Sequence, residues 1–206
     1  MADASVRPAR EGDVARIAGI QSVTWRHAYR DLLPAAALDS VAATAEPAWR
    51  RAVLAPPSTS HHVLVALERH GRQEWLVGFV AFGPADDPAP DGSAPNRPAP
   101  DDPAGERAVE LGPLLVEPRW GRRGHGSRLL AAALSQARAE GMIQAVTWAP
   151  STDSVTLGFF RAAGWTADGC ARVLDTGAGE IRELRLRASV EPHSSKARRQ
   201  VDGDDL

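Results

Sequence analysis

Residues 108–148, AVELGPLLVEPRWGRRGHGSRLLAAALSQARAEGMIQAVTW, constrain the fold more than any other part of the chain. A run of apolar residues ends in a turn holding Gly121, Gly124 and Gly126. An alanine- and leucine-rich stretch with helical spacing follows, Gly141 closes it, and a second apolar run begins. This order reads as strand, turn, helix, strand. A helix that carries the chain back between two neighbouring strands makes them parallel and leaves its own N-terminus at the carboxyl end of the first strand. Unpaired amides and the helix dipole attract anions there.

The remaining segments extend this unit into a mixed α/β sheet. SVRPA near Val6 predicts a short strand, and Val14, Ile17, Ala18, Gln21, Trp25 and Ala28 recur at helical spacing. Further helix is expected from Pro34 to Leu54, through Leu38, Val41, Ala48 and Trp49. HVLVALE and EWLVGFVAF, joined around Gly71, predict an antiparallel hairpin. STDSVTLGFFRAAG is expected as a helix ending at Gly164, and WTADGCARVLD and EIRELRLRA as a final hairpin. From Pro84 to Arg107 there are seven prolines and no large apolar residue. This segment is expected as a disordered surface insertion, because it lacks the apolar surface to offset its ordering entropy. The polar stretch 191–206 is expected as a disordered tail, leaving one domain over residues 1–190.

Composition narrows the function. A net charge of -2 and a pI near 6.3 argue against nucleic acid as a partner, so any anion site is local. Cys170 is the only cysteine, which precludes an internal disulfide, and MADASVRPAR has no apolar signal core; both fit a cytoplasmic protein. No apolar run is long enough for a membrane span. No cluster has metal-ligand spacing, and the expected chemistry needs no metal.

The turn itself combines permissive backbone with charge. Its glycines leave no side chain between the amides and a phosphate oxygen, and Arg122 and Arg123 supply charge-assisted donors. A pyrophosphate cradle follows from this arrangement; the alternative is a flexible turn with solvated arginines. The spacing Gly-x-x-Gly-x-Gly matches neither the dinucleotide fingerprint nor a Walker loop. Gly112-Pro113 interrupts the first strand and predicts a bulge where neighbouring strands part.

LLVEPRWGRRGHGSRLLAAAL resembles the acyl-CoA signature of the GNAT superfamily of N-acetyltransferases. FFRAAGW and VRPAREGDVARIAGIQSVTWRHAYRDLLP are similar to that family's later helix and its opening strand and helices. The resemblance spans most of Ser5 to Ala188. It implies a largely antiparallel sheet of about six or seven strands, with flanking helices and a central splay that admits the pantetheine arm. It also implies acetyl-CoA as cosubstrate and direct transfer to a primary amine of a small molecule or peptide. Backbone groups of Leu114, Leu115 and Val116 would pair with the arm, and Arg122, Arg123, Gly124, His125, Gly126 and Ser127 would meet the diphosphate. Relatives dimerise through terminal strands, which makes EIRELRLRA a candidate homodimer surface.

Glu110 matches the family's general base; the competing reading is a strand-end carboxylate paired with an arginine. Glu117, in Val-Glu-Pro, reads as turn chemistry. His125 is read either as a phosphate donor or as an outward-facing ring. Trp25 and Tyr29 are candidate acceptor contacts on the first helix, with simple packing as the alternative. Gly121 stands at the first position of the loop signature, where the family carries Arg or Gln, and two further departures bear on the chemistry. Phe160 stands where many relatives carry the tyrosine that protonates the leaving thiolate, so an acyl-CoA-binding module with little catalysis is the alternative to an enzyme. Asp153 replaces an asparagine that in relatives faces the cofactor.

Overall fold

The computed structural model describes residues 3–30, 33–85, 107–175 and 179–190. The expected insertion, apart from Pro84, Ala85 and Arg107, and the expected tail lie outside the described residues. Pro84 is the last residue of a strand, and the Ala85 amide bonds to the Ala108 carbonyl at 2.9 Å, so sheet structure continues to the edges of that gap.

Seven strands form one sheet: β1 (Asp3–Pro8), β2 (His62–His70), β3 (Gln73–Pro84), β4 (Ala108–Val116), β5 (Gln144–Pro150), β6 (Thr166–Asp175) and β7 (Glu180–Ser189). Their order is β1-β2-β3-β4-β5-β7-β6, and only β4 and β5 run parallel. Among the described residues four α-helices accompany them: α1 (Val14–Tyr29), α2 (Ala35–Leu54), α3 (His125–Ala139) and α4 (Ser154–Ala162). The sheet is thus mixed and largely antiparallel, as the resemblance implies. β7 lies between β5 and β6, with both its edges paired, so the sheet edges among the described residues are β1 and β6.

Alternating side chains divide the sheet between two cores. On one face Val63, Val65, Leu67 and Phe79 meet Val14, Ile17 and Ile20 of α1 and Ala45 and Trp49 of α2. The Trp49 ring meets Phe79 edge-on at 4.8 Å, and its Nε1 donates to Gln21 Oε1 at 2.6 Å, tying α2 to α1. On the other face Val77, Val80, Val109 and Leu111 meet Leu129, Leu130 and Ala133 of α3 and Leu157 and Phe160 of α4. Each fully buried aliphatic side chain contributes about 1.5–3 kcal/mol, so these stripes fix which face each helix covers. The α1 stripe stops short of the sequence expectation, with Trp25 and Tyr29 half-buried and Ala28 exposed. Gly71, Gly141 and Gly164 all have positive φ, in agreement with their expected places at a hairpin turn and two helix ends.

Candidate functional site

The site begins with an irregularity in β4. Leu111 pairs with Phe82 and Leu114 with Val80, so Gly112 and Pro113 together stand opposite Ala81. This is the expected bulge, and its extra residue reverses the alternation. Val109 and Leu111 face the α3 core before it, whereas Leu114 and Val116 pack there after it.

At the same level the parallel ladder ends. β4 and β5 pair from Ala108↔Gln144 to Leu111↔Thr147 and no farther, and the buried Thr147 hydroxyl donates to the Leu111 carbonyl at 2.9 Å. Beyond this point β5 continues along β7 while β4 continues along β3, leaving a fork between them. The Glu117 amide bonds to the Val77 carbonyl at 2.9 Å, and the Leu115 carbonyl lies against Gly78. Residues 115 and 117 therefore point their backbone groups at β3, which turns those of Leu114 and Val116 toward the fork. Of the three sequence candidates, Leu115 is the one whose carbonyl is directed away from it.

The glycine-rich turn is anchored at both ends by buried carboxylates. Glu117 pairs with Arg16 of α1 and with Arg119 Nε at 3.0 Å, while Arg16 Nε donates to the Leu76 carbonyl at 3.1 Å. At the far end His125, 2% exposed, brings Nε2 to within 2.6 Å of Glu68 Oε2 on β2; Glu68 is itself 3% exposed. Arg123 Nη1 donates to the other oxygen of Glu68 at 3.1 Å, and its guanidinium lies 4.9 Å from the centre of the Trp120 ring. Burial opposes the charge on Glu68, but hydrogen bonds from His125 and Arg123 outweigh it and hold the carboxyl below its ordinary range. The outward-facing His125 ring is corrected here: the ring points inward, where the carboxylate on β2 draws it.

Between these anchors the backbone curls. Arg122 has φ +60° and Gly124 has φ +80°, and Gly124 is the N-cap of α3 with no side chain capping the helix. The first amides of α3, those of His125, Gly126 and Ser127, precede the first i to i−4 bond, Arg128 to Gly124 at 3.0 Å. Arg122, Arg123, Gly124 and Ser127 are exposed beside them. A Cβ on Gly126 would lie 3.3 Å from the Phe159 ring of α4, so the missing side chain lets α4 close over the helix start.

Glu110 lies one residue before the end of the ladder, opposite Gly83 of β3 and Val146 of β5. With Gly112 it lines a cleft of about 330 Å³, whose other walls include His61, Val63, Ala81 and Ala52. Tyr29 and Trp25 meet edge to face at 5.9 Å on the last turns of α1. Burial, with the nearby charges of Asp153 and Glu183, pushes the Tyr29 hydroxyl up to about 12.

Two positions flagged in the sequence have structural tasks. Asp153 caps α4, accepting from the amides of Val155 and Thr156 at 3.1 and 2.9 Å and from the Thr156 hydroxyl at 2.7 Å. Phe160, 3% exposed, is wedged between Phe159 and Trp165 in the core. Cys170 is buried with Arg185 Nη2 2.9 Å from its sulfur, and burial pushes its thiol up. Among the described residues no group of three or more His, Cys, Asp or Glu side chains could hold a metal ion, and no helix is long and apolar enough to cross a membrane.

The family model for the acetyltransferase (GNAT) family matches residues 23–165, from the last turns of α1 through the bulged strand and the turn to the end of α4. The chain belongs to the acetyltransferase (GNAT) family. Solved GNAT structures resemble it along nearly its whole length. PaiA N-acetyltransferase from Thermoplasma acidophilum, in complex with coenzyme A, superposes with a TM-score of 0.65 at 13% identity, covering 91% of this chain and 99% of its own. The yncA structure from Salmonella typhimurium, with its cofactor acetyl-CoA, gives 0.56 at 20% identity over 95% and 98%. Ribosomal-protein-alanine N-acetyltransferase from Brucella melitensis gives 0.57 at 18% identity over 90% and 99%. At these identities the likeness is one of fold. No curated protein matches the chain.

Sequence reasoning missed Glu68, Thr147 and His61. Glu68 and Thr147 act through partners 57 and 36 residues away, and no local pattern marks such pairs.

Proposed function

We propose that this chain is an N-acetyltransferase that moves acetyl from acetyl-CoA directly to a primary amine. The observation that carries the reading is the fork: β4 leaves β5 immediately after Leu111, with the Glu110 cleft at its root and the glycine-rich turn at its far end. One strand thus links an anion cradle to a carboxylate.

The residues fit the cosubstrate. Unpaired amides of His125, Gly126 and Ser127 and the exposed guanidinium of Arg122 suit a diphosphate, and the backbone groups of Leu114 and Val116 suit an amide-bearing arm laid along the fork. Arg123 reaches the same diphosphate in this reading by exchanging Glu68 for it. When bound, acetyl-CoA supplies an activated acyl carbon; the amine nitrogen bonds to it, the carbon–sulfur bond breaks, the sulfur departs as thiolate, and the proton that the nitrogen loses on becoming an amide reaches that thiolate through water. Glu110 takes the proton that the ammonium form of the acceptor must lose before its lone pair can attack. Trp25 and Tyr29 are assigned to the acceptor side. Departure without a protein acid is feasible because an ordinary thiol has a pKa of about 8.5.

Release of free thiol from acetyl-CoA, measured over an α-amino acid, a peptide N-terminus, an aliphatic diamine and an arylamine, tests the reading. Turnover with at least one amine is expected. Glu110→Gln should lower kcat by about 10²–10⁴ while leaving affinity for CoA unchanged. An unaltered kcat removes Glu110 from the role. The burial of Phe160 in the core favours a second reading, an acyl-CoA-binding module; tight CoA binding with no turnover on any amine would select it.

A further inference from the structure

His61 and His62 adjoin in sequence but face different partners. His62 is held by α3, with Nε2 2.6 Å from Glu140 Oε1 and Nδ1 3.0 Å from Gln136 Nε2. His61 lines, together with His62, the cleft that Glu110 lines. Its Nδ1 is 2.8 Å from the hydroxyl of Ser58, an exposed residue of the segment joining α2 to β2. The opposite edge of its ring covers Gly83. A Cβ built on Gly83 would come within 2.5 Å of the ring's Cδ2 and 2.9 Å of Nε2, so the imidazole fills the space a side chain would need there.

Gly83 is the cross-strand partner of Glu110. Side chains of directly opposed residues in an antiparallel pair leave the same face with Cβ atoms about 4.5–5.5 Å apart. The Nε2 edge of His61 therefore lies on the same face as the Glu110 side chain, in the neighbouring cross-strand position and within reach of one bridging water. Three groups are placed in sequence from the root of the fork outward: a half-buried carboxylate, a half-buried imidazole and an exposed hydroxyl. An imidazole suits the middle place because one nitrogen can accept a proton while the other releases one.

We propose that His61 is the positioning residue for Glu110 and the next carrier of its proton. The carboxyl of Glu110, having taken one proton from the acceptor ammonium, gives it through one bridging water of the cleft to Nε2 of His61. Nδ1–H passes one proton to water, either directly or through the Ser58 hydroxyl, which accepts one proton and releases its own; Glu110 returns to its ionised state and His61 to a neutral imidazole, whose tautomer is restored by proton exchange with water. Gly83 is glycine because any side chain there would evict the ring. The proposal rests on the assignment of Glu110 as the base, and it adds the route by which that base is reset.

The experiment uses the full chain, acetyl-CoA and whichever amine of the panel the wild type turns over fastest. His61→Ala is expected to lower kcat about 10- to 100-fold, with KM for acetyl-CoA and calorimetric CoA affinity unchanged, and added imidazole should restore part of the rate. Gly83→Ala, which keeps the histidine but displaces it, should give a similar loss without imidazole rescue. The double variant should fall no further than His61→Ala alone. Melting curves identify any variant that fails to fold, and His61→Gln serves if His61→Ala does. Wild-type kcat in a folded His61 variant, or a loss in His61→Ala that imidazole does not relieve, overturns the proposal. If Glu110→Gln is slow while His61→Ala is not, only the relay fails. If Glu110→Gln turns over normally, or no amine is turned over, the underlying reading fails and the relay with it.

Discussion

Replacing Gly124 by valine separates the backbone of the turn from its charge. Gly124 has φ +80° at the N-cap of α3, a region that costs a residue with a side chain about 1–2 kcal/mol, with the upper end fitting a branched one. Contact adds little, because the nearest atom to a new Cβ is Arg128 Nη1 at 3.2 Å, the mobile end of a long side chain. A stability loss of about 2 kcal/mol lowers the melting temperature of a chain this size by about 4–8 °C. Should the backbone relax instead to negative φ, the amides at the head of α3 swing away from their common focus. Loss of one hydrogen bond to a charged group is worth about 1.5–3 kcal/mol, or about 10- to 150-fold in affinity for CoA. Gly124→Asn distinguishes the two effects. Asparagine tolerates the left-handed region and its side chain caps helix amides, so it should melt above the valine variant yet bind CoA poorly, since the cap competes for the same donors. Calorimetric titration with CoA beside thermal melts reads both quantities. A folded Gly124→Val protein with wild-type affinity would refute the reasoning.

Phe160→Tyr should not raise kcat; the ring is enclosed by Phe159 and Trp165, so a new hydroxyl there costs about 1–3 kcal/mol in stability, and a faster, equally stable variant would show that the position reaches the leaving group. Tyr29 is the only tyrosine, so tyrosinate absorbance reports it alone and should rise only near pH 12. Its folded value lies above the ordinary tyrosine value of 10.0, so the contribution to stability is complete below pH 10 and lost as pH climbs toward 12; absorbance rising near pH 10 would place the phenol in water. Thr147→Val should cost about 0.5–1.5 kcal/mol through loss of the bond to the Leu111 carbonyl, measured by denaturant unfolding, and an unchanged midpoint would mean that the hydroxyl does not matter to the fork.

Local periodicity carried most of the fold. The strand, turn, helix and strand of residues 108–150 were readable because each has a periodic stripe and a glycine or proline at its boundary. Gly112-Pro113 marked the bulge because proline cannot donate to a ladder, and the fork lies beside it. What stayed illegible depends on pairing between distant segments. The inward turn of His125 requires Glu68 on β2, and the placing of His61 beside Glu110 requires the β3–β4 register and the absence of a side chain on Gly83. The interior position of β7 is likewise a matter of strand order, which its own sequence does not encode. Asp153 was recognisable as a carboxylate at a helix start, and its capping role follows from Val155 and Thr156 offering their amides.

A crystal structure with CoA bound tests the central claim most directly. The diphosphate oxygens are expected about 2.7–3.2 Å from the amides at the start of α3, with the pantetheine arm along Leu114 and Val116 in the fork. A diphosphate bound elsewhere, with those amides facing water or covered by side chains, would contradict the account.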